Sequence, residues 1–485
     1  MTIAKKKQKF KKIGIGISII LAITFIVFSF FIIKVDVLPI KYLIPFIIIL
    51  LGIIGFNIYI LISKKFKMWL KYLSTLISLI ISTIFIIGCV YINKTYNFMD
   101  NIGNNNTIKE KYYVVVNKES KYKSIKDLKD KDIYTFNEGI EIYTKAIKEL
   151  NKEKVKLIES DSVNTMSDNL IKGKIEAIFI SAAHKEAIRE SITNFDDVTK
   201  IIHTVEVSIE VEKKEQKEID ISDESFTVYL SGSDSYGHIA ERSRSDVNML
   251  ITINPNTHEV LLTSIPRDYY VQLSGTTGYK DKLTHAGMYG VDMSINTIEE
   301  FMDIEIDYYV KVNFSTLVQV VDIIGGIDVY SDKGFRPWTD GSLYIPKGNV
   351  HMNGKMAIAF ARERHAYTEG DRHRVQNQQD VLEAIIAKVS KSTVLLTKYT
   401  TFLEQLSSSF ETNIKTEDIT ELIKLQINKM PSWNINKYSL NGTDSSGYTY
   451  SFGKQNLYVM EPMTDTIIEG KRRINLIIEG KKITE

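Results

Sequence analysis

Three stretches near the N-terminus, Ile13–Ile33, Tyr42–Ser63 and Tyr72–Ile92, contain no charged residue. They are 21, 22 and 21 residues long. As helices each would span roughly 30 Å, the thickness of a bilayer's hydrocarbon core. Inside lipid every backbone amide and carbonyl must find its partner within the protein, which restricts such segments to helices or closed barrels. A secretory signal has a shorter apolar core and comes alone. Three such runs in succession therefore predict three transmembrane helices.

Lysines orient them. Lys5, Lys6, Lys7, Lys9, Lys11 and Lys12 precede the first run, and Lys64, Lys65, Lys67 and Lys71 lie between the second and third. The loop between the first and second has only Lys34, Lys41 and Asp36. Positive-inside counting predicts a cytoplasmic N-terminus and second loop. Residues after about 94 are then extracellular, on a multi-pass cell-membrane protein. The N-terminal lysines read as topology control rather than as a docking surface. The single cysteine, Cys89, lies within the third run, which leaves the exterior without a disulfide framework or a cysteine zinc site.

The near-neutral net charge of +2 and the mean hydropathy of −0.08 are averages over unlike parts. Residues 1–71 hold 12 lysines against one acid, a net of +11, and the remainder holds 49 basic against 58 acidic residues, a net of −9. The mildly acidic exterior excludes a basic nucleic-acid binder. A basic site there must be a local cluster.

Strand and helix patterns alternate through that exterior, which predicts two α/β domains. Residues 94–110, polar and Asn-rich, read as a linker. An accessory α/β domain follows over 111–207, with strands at Tyr112–Val116, Lys154–Ile158 and Glu176–Ser181 and no obvious chemistry. Residues 208–224, dense in Glu and Lys, read as a charged linker. The second domain occupies 225–485. Its strands Val247–Ile253 and Thr257–Ser264 are joined at Asn254-Pro255-Asn256 as a hairpin. Helices are expected over Asp292–Met302, Phe314–Ile324, Val375–Ser390 and 412–430, and tail strands around Lys437–Leu440, Leu457–Pro462 and Asn475–Ile478.

Four segments of this domain carry candidate chemistry. Ser231-Gly232-Ser233-Asp234-Ser235 follows a strand, Arg242-Ser243-Arg244-Ser245-Asp246 precedes one, and Ile265-Pro266-Arg267-Asp268 ends a third. The fourth is Arg362-Glu363-Arg364, followed by Gly370-Asp371-Arg372-His373-Arg374 and Gln378. All fall at element ends or in loops, where α/β scaffolds build their sites. Arginine's planar fork pairs with phosphate through two parallel hydrogen bonds. Mg²⁺ takes one or two carboxylates beside phosphate oxygens and water. Singly, each arginine reads as a surface ion pair, and Asp234 as an Asx-turn or helix cap. Together, arginines beside strand ends in a net-acidic exterior point to a polyanion such as a magnesium-bound pyrophosphate.

The strings Gly232-Ser233-Asp234, Arg244-Ser245-Asp246, Ser264-Ile265-Pro266-Arg267-Asp268 and Lys282-Leu283-Thr284-His285-Ala286 resemble motifs of the LytR–CpsA–Psr (LCP) family. So do Ile306–Val310, Asp322–Val329, Asn353–Ala357 and the stretch from Arg362 to Gln379. The likeness covers about 225–390. Three spans with an accessory domain in front resemble the capsule-associated CpsA-like subgroup. The resemblance implies an α/β/α-type LCP domain with a mixed central sheet. It implies a phosphotransferase dependent on Mg²⁺ (or Mn²⁺), a glycopolymer–peptidoglycan ligase. Such an enzyme moves capsular polysaccharide or teichoic acid from a polyprenyl pyrophosphate to peptidoglycan as a phosphodiester, outside the cell. Carried over residue by residue, it implies metal ligands at Asp234 and Asp246. Pyrophosphate contacts fall on Arg244, Arg267, Lys282, Arg362, Arg364, Arg374 and Gln378, and catalytic roles on Asp234, Asp371 and Arg267. Asn377 stands where family members often have Arg, so one phosphate contact is expected to be missing. Trp338 and the loop Lys333–Tyr344 match nothing in the family.

That activity suits the residues. Phosphoryl transfer rests on positioning and on stabilising spread charge, which arginines and a divalent cation supply. An acceptor hydroxyl would attack the phosphorus next to the polymer, with Asp234 or Asp371 orienting or deprotonating it. The lipid tail needs an apolar groove, expected between the sheet and the helices near Phe314–Ile324 and Val381–Val389, where helical apolar spacing also suits a plain core. Lys282 is open between substrate contact and ion pair. His285 and His351 read as hydrogen-bonded structural residues. Two rival functions stay open: hydrolysis of the polyprenyl pyrophosphate by water, and a non-enzymatic membrane regulator of capsule synthesis that engages capsule-synthesis proteins. The expected partners are the lipid-linked glycopolymer, peptidoglycan and the membrane, without nucleic acid.

Overall fold

The three uncharged runs are helices α1 (Ile3–Val35), α2 (Ile40–Ile62) and α3 (Met68–Gly103), each long and apolar enough to cross a membrane. The computed structural model describes residues 3–103, 107–210, 217–233, 242–391, 410–429 and 431–483. Its chain divides into two units, Met1–Asn101 with Lys415–Pro431, and Ile102–Ile414 with Ser432–Glu485.

Within the first unit, Leu21, Phe25, Ile54 and Phe85 are buried between the three helices. The Ser74 hydroxyl donates to the Asn57 carbonyl at 3.1 Å, joining the third helix to the second.

The second unit begins with β1 (Thr107–Asn117), β2 (Asp132–Thr135), α4 (Glu141–Leu150), β3 (Lys156–Glu159), α5 (Val163–Ile171), β4 (Ala177–Ser181), α6 (Ala182–Ser191), α7 (Phe195–Val198) and β5 (Thr199–Glu210). Their sheet has the order β3-β2-β4-β1-β5. The chain continues through β6 (Phe226–Ser233), β7 (Val247–Asn254), β8 (Glu259–Ile265), β9 (Tyr270–Val271), β10 (Asp281–Lys282), α8 (Leu283–Tyr289) and α9 (Val291–Met302). Next come β11 (Tyr308–Asn313), α10 (Phe314–Ile323), β12 (Ile327–Ser331), β13 (Gly348–Met352), α11 (Gly354–Arg362), α12 (Asp371–Lys391) and β14 (Phe410–Thr412). Helix α13 (Thr416–Lys429) belongs to the first unit, and β15 (Asn434–Ser439), β16 (Gly442–Thr449), β17 (Gly453–Pro462) and α14 (Thr464–Ile478) complete the second.

The larger sheet has the order β14-β11-β6-β7-β8-β15. The β11–β6 and β15–β8 pairs are parallel and the others antiparallel, so the sheet is mixed. Its side chains alternate between two covered faces. Met249, Val260 and Leu262 pack against Leu382 and Ile386 of α12. Leu250, Leu261 and Ile265 pack against Leu283, Ile298, Ile474 and Ile477 of α8, α9 and α14. This is an α/β/α sandwich.

Two expectations are corrected. The segment 94–110 is not all linker: α3 runs on to Gly103, with no earlier Gly or Pro after Lys94 to stop it, and β1 starts at Thr107 because that residue already pairs with Glu210 of β5. Asn475–Ile478 is the last turn of α14 rather than a strand. Its Ile474 and Ile477 lie three apart on one buried helical face.

The two sheets share a core. In β4, Ala177 and Phe179 pack with Ile142, Ala146 and Leu150 of α4. The alternate residues Ile178 and Ile180 join the cluster that holds Tyr269, Leu283 and Phe452. A buried polar chain crosses this seam. The Tyr112 hydroxyl donates to Glu138 at 3.0 Å, and His184 Nδ1 lies 3.2 Å from the same carboxylate. His184 Nε2 is 3.3 Å from the Ser451 carbonyl oxygen. The Ser451 amide donates to Asp281 at 2.8 Å, and His285 Nδ1 lies 2.6 Å from Asp281. The Phe452 ring lies 6.0 Å from the His184 ring and 5.0 Å from that of His285. Beside it Gly453, at φ +71°, takes a conformation that side chains disfavour, and a Cβ there would overlap the Asp161 carbonyl oxygen.

Because one core serves both sheets, Phe452→Ala is expected to cost about 3–5 kcal/mol and to loosen both at once. Hydrogen exchange of the full chain in detergent checks this: protection should fall together in β1, β4 and β7, whereas loss confined to one sheet would show separate cores.

Candidate functional site

Register brings the arginine-bearing segments to one end of the larger sheet. Gly232 at the end of β6 faces Val247 at the start of β7, Asn248 faces Ile265 at the end of β8, and Asn313 at the end of β11 faces Ser233. The carboxyl ends of three strands and the loop into a fourth thus meet, the position where open α/β sheets bind ligands. The start of α8 stitches the loops together. Its Thr284 amide donates to the Arg267 carbonyl at 2.8 Å, and its carbonyl accepts from the Ser245 amide at 3.0 Å. Gly287, one turn on, lets Arg242–Ser245 lie flat on the helix, since a Cβ there would sit 2.7 Å from the Ser243 carbonyl oxygen.

A cavity of about 170 Å³ opens at this edge. Its walls are apolar: Leu230, Val247 and Met249 from the sheet, Phe314 and Leu317 from α10, and Val381, Leu382 and Ile385 from α12. Its rim is polar and mostly cationic, with Asp246, Arg267, Arg362, Arg364, Arg374 and Gln378. Arg362 ends α11 and stacks its guanidinium 4.4 Å from the Phe314 ring centroid. Arg374 and Gln378 come one turn apart on α12, which starts at Asp371.

Charges on the rim are tightly paired. Arg267 donates to Asp246 and also lies 3.5 Å from Asp268, and Lys282 pairs with Asp268 at 2.9 Å. Thr284 adds a hydrogen bond to Asp246 at 3.2 Å. Burial alone would raise the Asp246 carboxyl, but Arg267, Arg244 and Arg374 outweigh it and hold it down at about 2. Burial likewise opposes ionisation of Asp268, and Arg267 and Lys282 prevail, lowering its pKa. Arg374 bonds Asp371 at 2.9 and 3.0 Å.

Of the residues expected from sequence, Asp246, Arg267, Arg362, Arg364, Arg374 and Gln378 converge on the cavity. Arg244 stands close enough to bias Asp246. Lys282 pairs with Asp268, and its ammonium lies 5.7 Å from the Tyr458 ring. Asp371 lines a neighbouring hollow with Pro266, Arg372, Asn441 and Met460. Asp234 lies outside the described residues. Asn377 is buried and donates to the Phe360 carbonyl at 3.1 Å, a packing role inside the domain. His285 bonds Asp281, and the exposed His351 bonds Asp328 at 2.8 Å.

Three residues with parts in the site were not picked out beforehand. Asp268 was visible in its motif but unassigned. Glu363 is buried and accepts from the Trp338, His365 and Ala366 amides at 2.7, 2.7 and 2.9 Å. It thereby holds the turn carrying Arg364 against the loop carrying Trp338. Trp338 itself lines the cavity rim, and only its being a tryptophan in a polar loop could have signalled it.

The LytR_cpsA_psr family model matches residues 196–465. Similar curated proteins include the polyisoprenyl-teichoic acid–peptidoglycan teichoic acid transferase TagU of Bacillus cereus (strain ATCC 14579), 34% identical over 234 residues, or 47% of this chain and 75% of that protein. TagV of Bacillus subtilis (strain 168), which carries the same transferase description, is 34% identical over 252 residues, 50% of this chain and 62% of that one. The crystal structure of B. subtilis TagV is 30% identical, with a TM-score of 0.45, and the match covers 54% of this chain and 99% of that one.

The depressed Asp246 carboxyl has a pH consequence. A group lowered by folding contributes stability that is fully present above its unfolded value and is lost as the pH falls through its folded one. Asp246 should therefore contribute about 2 kcal/mol at neutral pH, lost between about pH 4 and pH 2. Asp246→Asn removes the buried carboxylate that Arg267 and Thr284 bind and should destabilise by about 2 kcal/mol or more at pH 7, with a shallower acid limb. Urea unfolding from pH 7 to pH 2 reads both.

Proposed function

The chain belongs to the LytR–CpsA–Psr family, and on that premise we propose that it transfers a glycopolymer from a polyprenyl pyrophosphate carrier to peptidoglycan. The observation that carries this is the cavity itself, an apolar pocket whose rim holds four arginines. Such a pocket matches a lipid with a pyrophosphate head: the isoprenoid seats against Met249, Leu317 and Leu382, and the phosphates meet Arg267, Arg362, Arg364 and Arg374. The relatives named as teichoic acid–peptidoglycan transferases support this polymer class.

In the reaction an acceptor hydroxyl of peptidoglycan attacks the phosphorus next to the polymer. A new phosphodiester forms, the pyrophosphate bridge breaks, and polyprenyl phosphate leaves with the bridging oxygen. The arginines offset the charge that gathers on the phosphoryl oxygens and the departing phosphate. Asp371, fixed by Arg374 and open to the neighbouring hollow, is our candidate to take the hydroxyl proton, with Asp234 the alternative.

Magnesium fits the donors present. Asp246 stays ionised at all physiological pH and lines the cavity, and one or two carboxylates beside phosphate oxygens suit this ion. Among the described residues no group of three or more acidic, histidine or cysteine side chains is placed to hold a metal ion. Asp246, with Asp234, would hold the cation. When bound it would neutralise part of the pyrophosphate charge.

The lysine distribution supports an extracellular site, and two contacts within the first unit agree with it. Lys424 of α13 pairs with Asp36 at 2.6 Å, and Lys41 donates to the Asn428 carbonyl at 3.1 Å. The loop between the first two helices and the segment Lys415–Pro431 thus meet within the first unit, which supports placing them on one side of the membrane.

Arg362→Ala should lower polymer attachment by about a hundredfold or more, with the folded domain retained, as circular dichroism would check. The assay supplies lipid-linked teichoic acid or capsular polysaccharide with peptidoglycan. A covalent polymer–peptidoglycan adduct supports transfer, whereas free phosphorylated polymer without adduct would mean hydrolysis. EDTA should suppress the reaction and added Mg²⁺ restore it; a rate indifferent to chelation would remove the metal from the scheme.

A further inference from the structure

We infer that Trp338 is a sugar-stacking platform, a subsite for the first carbohydrate ring beyond the pyrophosphate. This rests on the proposed transfer reaction and assigns part of its specificity. Trp338 is 66% exposed, yet it stands on the rim of the apolar cavity beside Arg362 and Arg364. A solitary exposed tryptophan needs no explanation by itself. This one is held out by construction.

The loop that bears it is closed at its base by paired backbone hydrogen bonds between Phe335 and Ile345, each 2.9 Å. Arg336 donates to the Gly341 carbonyl at 3.1 Å, and Asp340 binds Lys355 at 2.7 Å. The buried Glu363 carboxylate clamps the Trp338 amide itself. The backbone under the indole is thus fixed, and the ring sits beside His365 at 4.9 Å and the Arg364 guanidinium at 6.0 Å while most of its surface stays open. It stays presented to solvent at little entropic cost to a ligand.

The occupant is identified by what lies on either side. The apolar interior suits the isoprenoid, and the arginines suit the phosphates. The polymer end must leave through the rim, because a cavity of about 170 Å³ cannot contain it. The first sugar then emerges where Trp338 stands. A pyranose ring offers an apolar face of C–H groups to stack on an aromatic ring, and hydroxyls at its edge. Thr339 of the same rim and the exposed His365, whose ring lies 4.9 Å from that of Trp338, offer polar partners for those hydroxyls.

The full-length protein in detergent is titrated with two probes, undecaprenyl pyrophosphate and the same lipid carrying one N-acetylglucosamine. The wild type should prefer the sugar-bearing probe. Trp338→Ala should erase about tenfold of that preference, and Trp338→Phe, which keeps a ring, should retain most of it. A preference unchanged in Trp338→Ala would overturn the inference. So would equal losses for both probes, which would put the indole on the lipid or the phosphates. A wild type that binds neither probe would overturn the transferase reading as well. Thermal unfolding of Trp338→Ala should match the wild type, since the indole is largely exposed.

Discussion

Buried carboxylates at the end of a sheet are costly unless cations accompany them. Asp246 and Asp268 are both nearly inaccessible, and Arg267 touches both. Much else hangs on that triad. The loop out of β8 must put Arg267 between two acids, the entry to β7 must put Asp246 within its reach, and Thr284 must close the gap. The start of α8 is therefore part of the same polar assembly. Arg362, Arg364 and Arg374 add three more guanidinium groups beside it, the last paired with Asp371. The rim is cationic although the exterior as a whole is acidic.

The smaller sheet is built into the structure around this site rather than hung beside it. Its strand β4 is apolar on both faces. One face serves its own helix α4, and the other enters the core beneath α8. The polar chain from Tyr112 to His285 ends on Asp281, whose neighbour Lys282 pairs with Asp268. Side chains of the two sheets thus lie in one contiguous network, in which a displacement in either has few places to be absorbed.

What the sequence disclosed followed from locality. The membrane helices were legible because lipid imposes a length and forbids charge over some twenty consecutive residues. The β7–β8 hairpin was legible from Asn254-Pro255-Asn256. The arginines were legible because strand ends are local features. By contrast, β16, Gly-Thr-Asp-Ser-Ser-Gly-Tyr-Thr over Gly442–Thr449, has no alternation to betray it and exists by pairing with β17. The role of Glu363 depends on an amide 25 residues away, and the apolar face of β4 shows that something covers it but not what. Asn475–Ile478 misled because four residues are too short to tell a helical face from a strand.

A loop closed at its neck can be rewritten at its tip. Between Phe335 and Ile345 the chain leaves and re-enters the domain through two backbone bonds, and below the tip one buried carboxylate fixes its height. These attachments do not depend on the side chains of Thr339 or Ser342, whereas the Trp338 ring lies 6.0 Å from the Arg364 guanidinium. Substitutions at Thr339 and Ser342 would alter the neighbourhood of the emerging polymer while leaving the Arg267–Asp246 and Arg374–Asp371 pairs untouched. Chemistry and selectivity are physically separable in this fold, so a lineage could change which wall polymer it handles through a handful of codons without passing through an inactive enzyme.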